Sequence, residues 1–285
     1  MKEKILVTGA TGVIGKELVK QLLGQGFCVR IAVRSAEKAA DIDTCGCPLV
    51  VFDYTKHETF QRAFEGIDGL FLATPIMSPK LDELIMPAIN AAKEMGVSHI
   101  VSLGAIGMSQ GKDSPMSIAE KCVQGCGLKF TILRPNLLMQ NFQTLAGMLI
   151  RNTGLIHLPA GDAKVSFVDA RDIAASAAQS LLKKEHQNKI YMLTGKEALD
   201  HYQIAEILSR VTSKKIVYIP VSHNEAEQEL LRVGWNGDAA ELMIGLYEIA
   251  RHGWCEEISA DLEKILGREP IRFEKFAQDY KDTWI

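Results

Sequence analysis

Short apolar runs recur along the first 135 residues, separated by longer stretches in which apolar positions return every three or four residues. The runs at 4–8, 27–33, 49–52, 69–72, 99–103 and 129–133 are rich in β-branched residues and predict strands. The stretches at 12–23, 81–95 and 117–126 predict amphipathic helices between them. Several of the runs, such as Ile5-Leu6-Val7 and Ile100-Val101, are apolar without alternation. Strands of that kind are buried on both faces, so the pattern predicts an α/β fold, a doubly wound parallel sheet with helices on both sides.

Beyond Arg134-Pro135 the rhythm changes. A helix is expected near 141–150, a strand near 164–167, a helix over 170–182 and a strand over 189–193. Helix 201–211, strand 215–219 and a mainly helical tail follow. Residues 169–193 read as one more unit returning to the first sheet. The expected organisation is a larger domain over 1–135, rejoined by 169–193, and a smaller region from 136–168 and 194–285 that covers it.

Composition narrows the classes of function. With 285 residues, 47% apolar and 24% charged, the chain has the profile of a self-sufficient soluble protein. Its 32 basic residues are offset by 35 acidic ones, so no field draws in a polyanion, and nucleic acid is not expected as a direct partner. The apolar run at 5–7 is too short for the core of an export signal, and no run approaches the ~18 residues of a membrane span. The expected setting is cytoplasmic, with no membrane partner. Six irregularly spaced cysteines read as reduced thiols. Neither Cys45-x-Cys47 nor Cys122-x3-Cys126 has a histidine at ligand spacing, so no metal site is assigned.

The chemistry begins at Gly9-Ala10-Thr11-Gly12-Val13-Ile14-Gly15, between the first strand and the first helix. A sharp strand-to-helix turn whose N–H groups face a pyrophosphate has no room for Cβ atoms at its turn and packing points. The helix start then offers unpaired donors and the positive end of its dipole. Gly9, Thr11, Gly12, Val13, Ile14 and Gly15 are therefore candidate dinucleotide ligands on a Rossmann fold. About 20 residues past such glycines an acid holds the ribose of NAD, whereas a 2′-phosphate needs positive charge. Here stands Arg34, with Lys38 one helical turn on, which selects NADP(H). The other reading of Arg34 is a solvated residue opening the next helix. At the fourth strand's end the small residues Ala73, Thr74 and Pro75 let the backbone approach a cofactor ribose.

The Gly-x2-Gly-x2-Gly spacing resembles the extended and atypical short-chain dehydrogenase/reductases. Ala32-Val33-Arg34-Ser35, Gly96-Val97-Ser98-His99-Ile100-Val101, the run from Gly127 through Arg134-Pro135-Asn136 to Asn141, and the tail 267–276 make the chain similar to the NmrA-like group. That group holds NAD(P)H:quinone oxidoreductases, azo- and triphenylmethane-dye reductases, agroclavine dehydrogenase-type enzymes and the NmrA transcription co-regulator. The resemblance places Asn136 and Asn141 along the nicotinamide half of the cofactor and sets Ala73, Thr74 and Pro75 beside it. It also sets Asp53 against the adenine, where the residues alone allow a helix cap equally well.

One departure from the wider class constrains the reaction. Typical short-chain reductases carry Tyr-x3-Lys on the helix after the fifth strand; here Met116 and Glu120 have that spacing, and no tyrosine is followed four residues later by lysine. No catalytic residue is assigned. Without a positioned acid an enzyme forfeits roughly 10²–10⁴-fold for a simple ketone. Hydride addition to a quinone or a cationic conjugated acceptor yields a stabilised product, and proximity carries most of the acceleration. The expectation is an NADPH-dependent reductase of such small molecules. Two other readings stand beside it: alcohol oxidation through Ser102 or Glu120, and a non-catalytic NADP(H)-binding regulator of the NmrA type with a protein partner. Ser102 ends the fifth strand, near the reacting centre or buried against the next loop, and is kept among the cofactor-site candidates. Ser117 and Glu120 fit a capping box. Trp235 and Trp254 read either as core residues or as rings closing over an aromatic acceptor.

Overall fold

The computed structural model describes residues 3–35, 44–74, 80–107, 114–144, 146–232, 234–235 and 237–285. In chain order the first elements are β1 (Lys4–Val7), α1 (Val13–Gly24), β2 (Cys28–Val33), β3 (Leu49–Val51), α2 (Phe60–Phe64), β4 (Gly69–Leu72), α3 (Leu81–Glu94), β5 (His99–Leu103), α4 (Pro115–Gly125) and β6 (Lys129–Pro135). There follow α5 (Asn141–Thr144), α6 (Gly147–Thr153), β7 (Leu155–Leu158), α7 (Ala170–Leu182), β8 (Lys189–Leu193), α8 (His201–Thr212) and β9 (Val217–Pro220). Helices α9 (His223–Arg232), α10 (Gly237–Arg251), α11 (Asp261–Leu266) and α12 (Phe273–Asp279) complete the chain. Among the described residues no helix is long and apolar enough to cross a membrane. Two compact units form, 1–134 with 170–192 and 135–169 with 193–285.

The first unit holds a seven-stranded sheet in the order β3-β2-β1-β4-β5-β6-β8, and every neighbouring pair from β3 to β6 is parallel. This is the doubly wound α/β architecture that the unalternating strands predict. Alternate strand residues face opposite ways. Leu6, Leu70 and Ile100 share one buried cluster with Phe64, Ile85 and Val123, so α2, α3 and α4 cover that face. Helices α1 and α7 pack on each other, and α7 lies against β4 and β5 on the other face. The order in which strands are added to the sheet reverses between β1 and β4, which opens a crevice at their carboxyl ends.

The second unit departs further from the sequence pattern. The expected strand at 164–167 is only a bridge, Val165 to Leu199, although Val165, Ser166 and Phe167 are all buried. Burial without a laddered partner produced the strand-like signature. The paired strands are instead β7 and β9, in parallel register from Leu155–Val217 to Leu158–Pro220. The single helix expected near 141–150 is two, α5 and α6. The core gathers Phe142, Phe167, Tyr247, Phe273 and Trp284. Trp284 Nε1 donates to the Phe142 carbonyl at 2.8 Å, which fastens the C-terminus to α5.

His201, the first residue of α8, sits in this core with rings of Phe142, Phe167, Tyr218 and Tyr247 within 5.1–5.8 Å. Neither of its ring nitrogens has a hydrogen-bond partner among the described residues. Burial pushes its pKa down to about 4, against the opposing pull of Asp200. An unfolded histidine titrates near ~6.5. Between those values the unfolded chain takes up a proton that the folded ring refuses, so this contribution is complete above ~6.5 and lost as pH falls toward 4. His201→Phe is therefore expected to stabilise the protein by about 2 kcal/mol more at roughly pH 5 than at roughly pH 8, read from urea denaturation. An equal effect at the two pH values would contradict the buried neutral ring.

Candidate functional site

The turn from β1 to α1 is built by close backbone approach. Gly9 has φ +63°, the left-handed region, and a Cβ on it would lie 2.7 Å from the Ala73 Cβ at the end of β4. A Cβ on Gly15 would overlap the Gly9 carbonyl oxygen and lie 2.7 Å from the Ala10 Cα. These two glycines are thus demanded by packing between helix, turn and neighbouring strand. Gly12 differs: it is exposed, and a Cβ there meets only the Gly9 carbonyl at 3.3 Å. As N-cap of α1 it brings no side-chain cap, and no acid stands in the first turn. Thr11, Gly12 and Val13 are exposed there, Ile14 half-buried. An open helix N-terminus over exposed backbone fits a pyrophosphate.

Beside this turn a cavity of about 270 Å³ is lined by Thr8, Gly9, Thr11, Ala32, Val33, Arg34, Phe52, Asp53, Tyr54, Ala73 and Thr74. Six of the residues singled out from the sequence thereby come together: Gly9, Thr11, Arg34, Asp53, Ala73 and Thr74. Strand ends β1, β3 and β4 are tied by hydrogen bonds that sequence reasoning missed. Thr8 Oγ1 donates to the Phe71 carbonyl at 3.0 Å and accepts from Ala73 N at 2.8 Å, while the Tyr54 hydroxyl donates to the Ala73 carbonyl at 2.9 Å. Burial pushes the Tyr54 hydroxyl pKa up despite its contact with Thr8, so it stays a donor. The only sequence signal was a polar hydroxyl at the carboxyl end of each of two strands.

Arg34 is exposed, directly after β2. Asp53 caps no helix: its Oδ1 accepts from Thr55 N at 3.0 Å and Thr55 Oγ1 at 2.8 Å, and Lys56 is the N-cap of the turn that follows. Burial works to raise the Asp53 pKa, but the Thr55 hydrogen bonds and the charges of Lys56 and Arg34 outweigh it and hold the carboxyl below its ordinary value. Ser102 is buried near the end of β5, between Leu72 and Ile132. Lys38 and Pro75 lie outside the described residues.

Asn136 is buried, its amide donates to Ser166 Oγ at 2.7 Å and to the Cys255 carbonyl at 2.8 Å, and its Oδ1 accepts from Leu137 N. Both amide hydrogens are spent inside the second unit, so the side chain is a strut there. Asn141 stands half-buried at the start of α5. The Ser117–Glu120 capping box is corrected, because α4 starts two residues earlier. Ser114 is its N-cap, accepting from Ser117 N at 3.2 Å, and Pro115 opens the helix.

Glu120 instead receives Arg134 Nε at 3.0 and 3.1 Å and, from the same guanidinium, Nη2. The carboxylate is 9% exposed, so this pair is largely desolvated. Gly104 makes room for it, since a Cβ there would overlap Glu120 Oε1. Met116 lies in the core cluster with its sulfur 3.9 Å from Thr74 Oγ1. The two positions spaced like a catalytic tyrosine and lysine therefore hold a core thioether and a neutralised carboxylate.

The model of the NmrA-like family matches residues 1–269. The chain belongs to the NmrA-like family. Within that family it is similar to the NAD(P)H azoreductase of Xenophilus azovorans, 33% identical over 280 residues that span 96% of each chain. It is also similar to quinone oxidoreductase 2 of Escherichia coli, 26% identical over 92% of this chain and 93% of that one. The triphenylmethane reductase of Citrobacter sp., solved with NADP(H), superimposes with a TM-score of 0.83 at 26% identity, covering 97% of this chain and 99% of that chain.

The glycine geometry separates two substitutions by stability alone. Gly15→Ala is expected to cost about 1–3 kcal/mol, because backbone atoms must move. Gly12→Ala is expected to stay within roughly 1 kcal/mol of the parent. Thermal unfolding checks both, and equal losses would show that the third glycine is not a packing requirement.

Proposed function

We propose that this NAD(P)H-dependent oxidoreductase passes hydride from NADPH to electron-poor conjugated small molecules, quinone-like or cationic. The observation that carries the proposal is the Met116 and Glu120–Arg134 arrangement. A thioether has no proton to give, and both Glu120 carboxylate oxygens are engaged by the Arg134 guanidinium. The chain's own groups at those positions thus supply no acid for a ketone's alkoxide. Acceptors whose reduced form is already stabilised remain open to it. Relatives named for azo compounds, quinones and triphenylmethanes support the same class, since each of those acceptors is conjugated.

Bound coenzyme supplies the hydride. The chain binds and orients it: the turn Gly9 to Gly15 receives the pyrophosphate at the start of α1, the small Ala73 and Thr74 admit the ribose, and Asp53 flanks the adenine. Arg34 pairs with the 2′-phosphate. A charged hydrogen bond of that kind contributes about 1.5–3 kcal/mol, enough for roughly 10- to 100-fold preference. Arg34→Glu is expected to lower NADPH affinity by about that factor while leaving NADH affinity nearly unchanged, as read by calorimetry. Equal losses for the two coenzymes would remove Arg34 from the site.

The activity itself is tested by following nicotinamide absorbance with NADPH and a panel of quinones, azo dyes, triarylmethane dyes and simple ketones. Turnover is expected with the conjugated acceptors and not with the ketones. Tight coenzyme uptake with no turnover by any of them would replace the reductase with an NmrA-type regulator.

A further inference from the structure

A second cavity, of about 370 Å³, lies within the first unit at the amino ends of β1, β2 and β3, at the opposite edge of the sheet from the nucleotide crevice. Three of the six cysteines line it, Cys28 at the start of β2 and Cys45 and Cys47 shortly before β3. All three stand as thiols, Cys28 and Cys45 exposed and Cys47 buried. The charged side chains of the lining are Lys4 and Arg30, and among the described residues no carboxylate joins them there.

Cys45-Gly46-Cys47 belongs to a closed turn. Cys47 N donates to the Thr44 carbonyl at 2.9 Å and Gly46 N to Thr44 Oγ1 at 3.2 Å, while Cys45 and Gly46 have φ of +49° and +79°. Two successive left-handed residues at the centre of a turn favour glycine, asparagine or aspartate, so a cysteine in the first of those places is held against its own preference. An outlier of this kind points to a role for the side chain. The left-handed residue between the two cysteines folds the chain back, which brings their Cα atoms within the roughly 4.4–6.8 Å that a disulfide spans. A Cβ on Gly46 would meet nothing within 4 Å, so the space beside the pair is open. The two sulfurs also sense each other: burial pushes the Cys47 thiol pKa up, and the charge of Cys45 pushes it further.

We propose that Cys45 and Cys47 form a redox dithiol that exchanges with anionic low-molecular-weight disulfides, the exposed Cys45 attacking and the buried Cys47 resolving. The Cys45 thiolate attacks one sulfur of the incoming disulfide, whose S–S bond breaks and whose other half leaves as a thiolate that takes up the proton Cys45 lost. Cys47 then gives up its proton and attacks Cys45 Sγ, expelling the second half, which takes that proton. Two protein thiols are oxidised to one disulfide and one external disulfide is reduced to two thiols. The first step removes the charge on Cys45 that helps to hold Cys47 protonated, so the second step follows from the first. Lys4 and Arg30 favour an anionic guest over a cationic one. The dithiol lies wholly in the first unit and does not rest on the reductase reading.

The test incubates the reduced full chain with glutathione disulfide at neutral pH, quenches with acid, alkylates the remaining thiols in denaturant and maps tryptic peptides by mass. Peptide 39–56 holds Cys45 and Cys47 and no other cysteine, and peptide 21–30 holds Cys28. In the parent, peptide 39–56 is expected to become lighter by two hydrogen atoms and to resist alkylation, unlinked to peptide 21–30. Cys47→Ser should stop at the mixed disulfide, with one glutathione on Cys45. Cys45→Ser should slow the modification of Cys47 roughly tenfold or more, and Cys28→Ser should leave the internal disulfide unchanged. Thermal unfolding reports that each variant is folded, and the parent's own map needs no variant. Peptide 39–56 alkylated twice after exposure of the parent to the oxidant, a link from Cys28 to either partner, or no glutathione on Cys45 in folded Cys47→Ser would overturn the proposal.

Discussion

The architecture of the nucleotide crevice depends on how closely three backbones approach one another. Gly15 touches the Gly9 carbonyl, Gly9 in its left-handed conformation touches Ala73, and Thr8 and Tyr54 fasten the Ala73 peptide from both sides. This contact sets α1 against β1 and β4 with its first turn uncapped. Had either glycine carried a side chain, the helix would stand off the sheet and its N–H groups would no longer converge on the crevice. The exposed Gly12 has no comparable demand from the protein's own packing.

Electrostatics elsewhere in the first unit follow from a second close contact. Glu120 and Arg134 come from α4 and β6 and neutralise one another in a largely dry place behind β5, with Gly104 leaving the space. A pair of this sort is costly to break from one side, because the remaining charge is stranded. It therefore has the character of a fixed structural tie, and the chemistry left to the protein is binding and orientation. That suits an oxidoreductase whose coenzyme carries the reactive hydride.

The second unit solves a different problem, covering a large aromatic core with short elements. Phe142, Phe167, Phe273, Phe276 and Trp284 interlock, and the backbone between them is held by side-chain bonds such as those of Asn136 to Ser166 and Cys255. Two histidines there are placed differently. His201 is surrounded by rings and kept neutral by burial, whereas His157 has a carboxylate to orient it and lines a cavity.

Much of the first unit is legible in the chain itself. Runs such as Gly69–Leu72 and His99–Leu103 have the bounds expected from the sequence, since strands buried on both faces carry apolar residues without alternation, as at Leu70–Leu72 and Ile100–Val101. The glycine spacing likewise identifies the turn, because φ and Cβ clearance are properties of the residue type. Contacts distant in sequence are not readable this way. Glu120 looked like a capping residue because its local spacing to Ser117 is right, and only the arrival of Arg134 on the next strand decides otherwise. Strand β7 was hidden because its partner is 62 residues further on, while 164–167 mimicked a strand through burial alone. The cavity beside His157 draws on five elements spread between Thr144 and Tyr247, and no periodicity encodes their meeting. Local conformational preference and hydrophobic period act within a few residues and so are written in the sequence. Pairing of charges, spending of hydrogen bonds and enclosure of space require the folded chain.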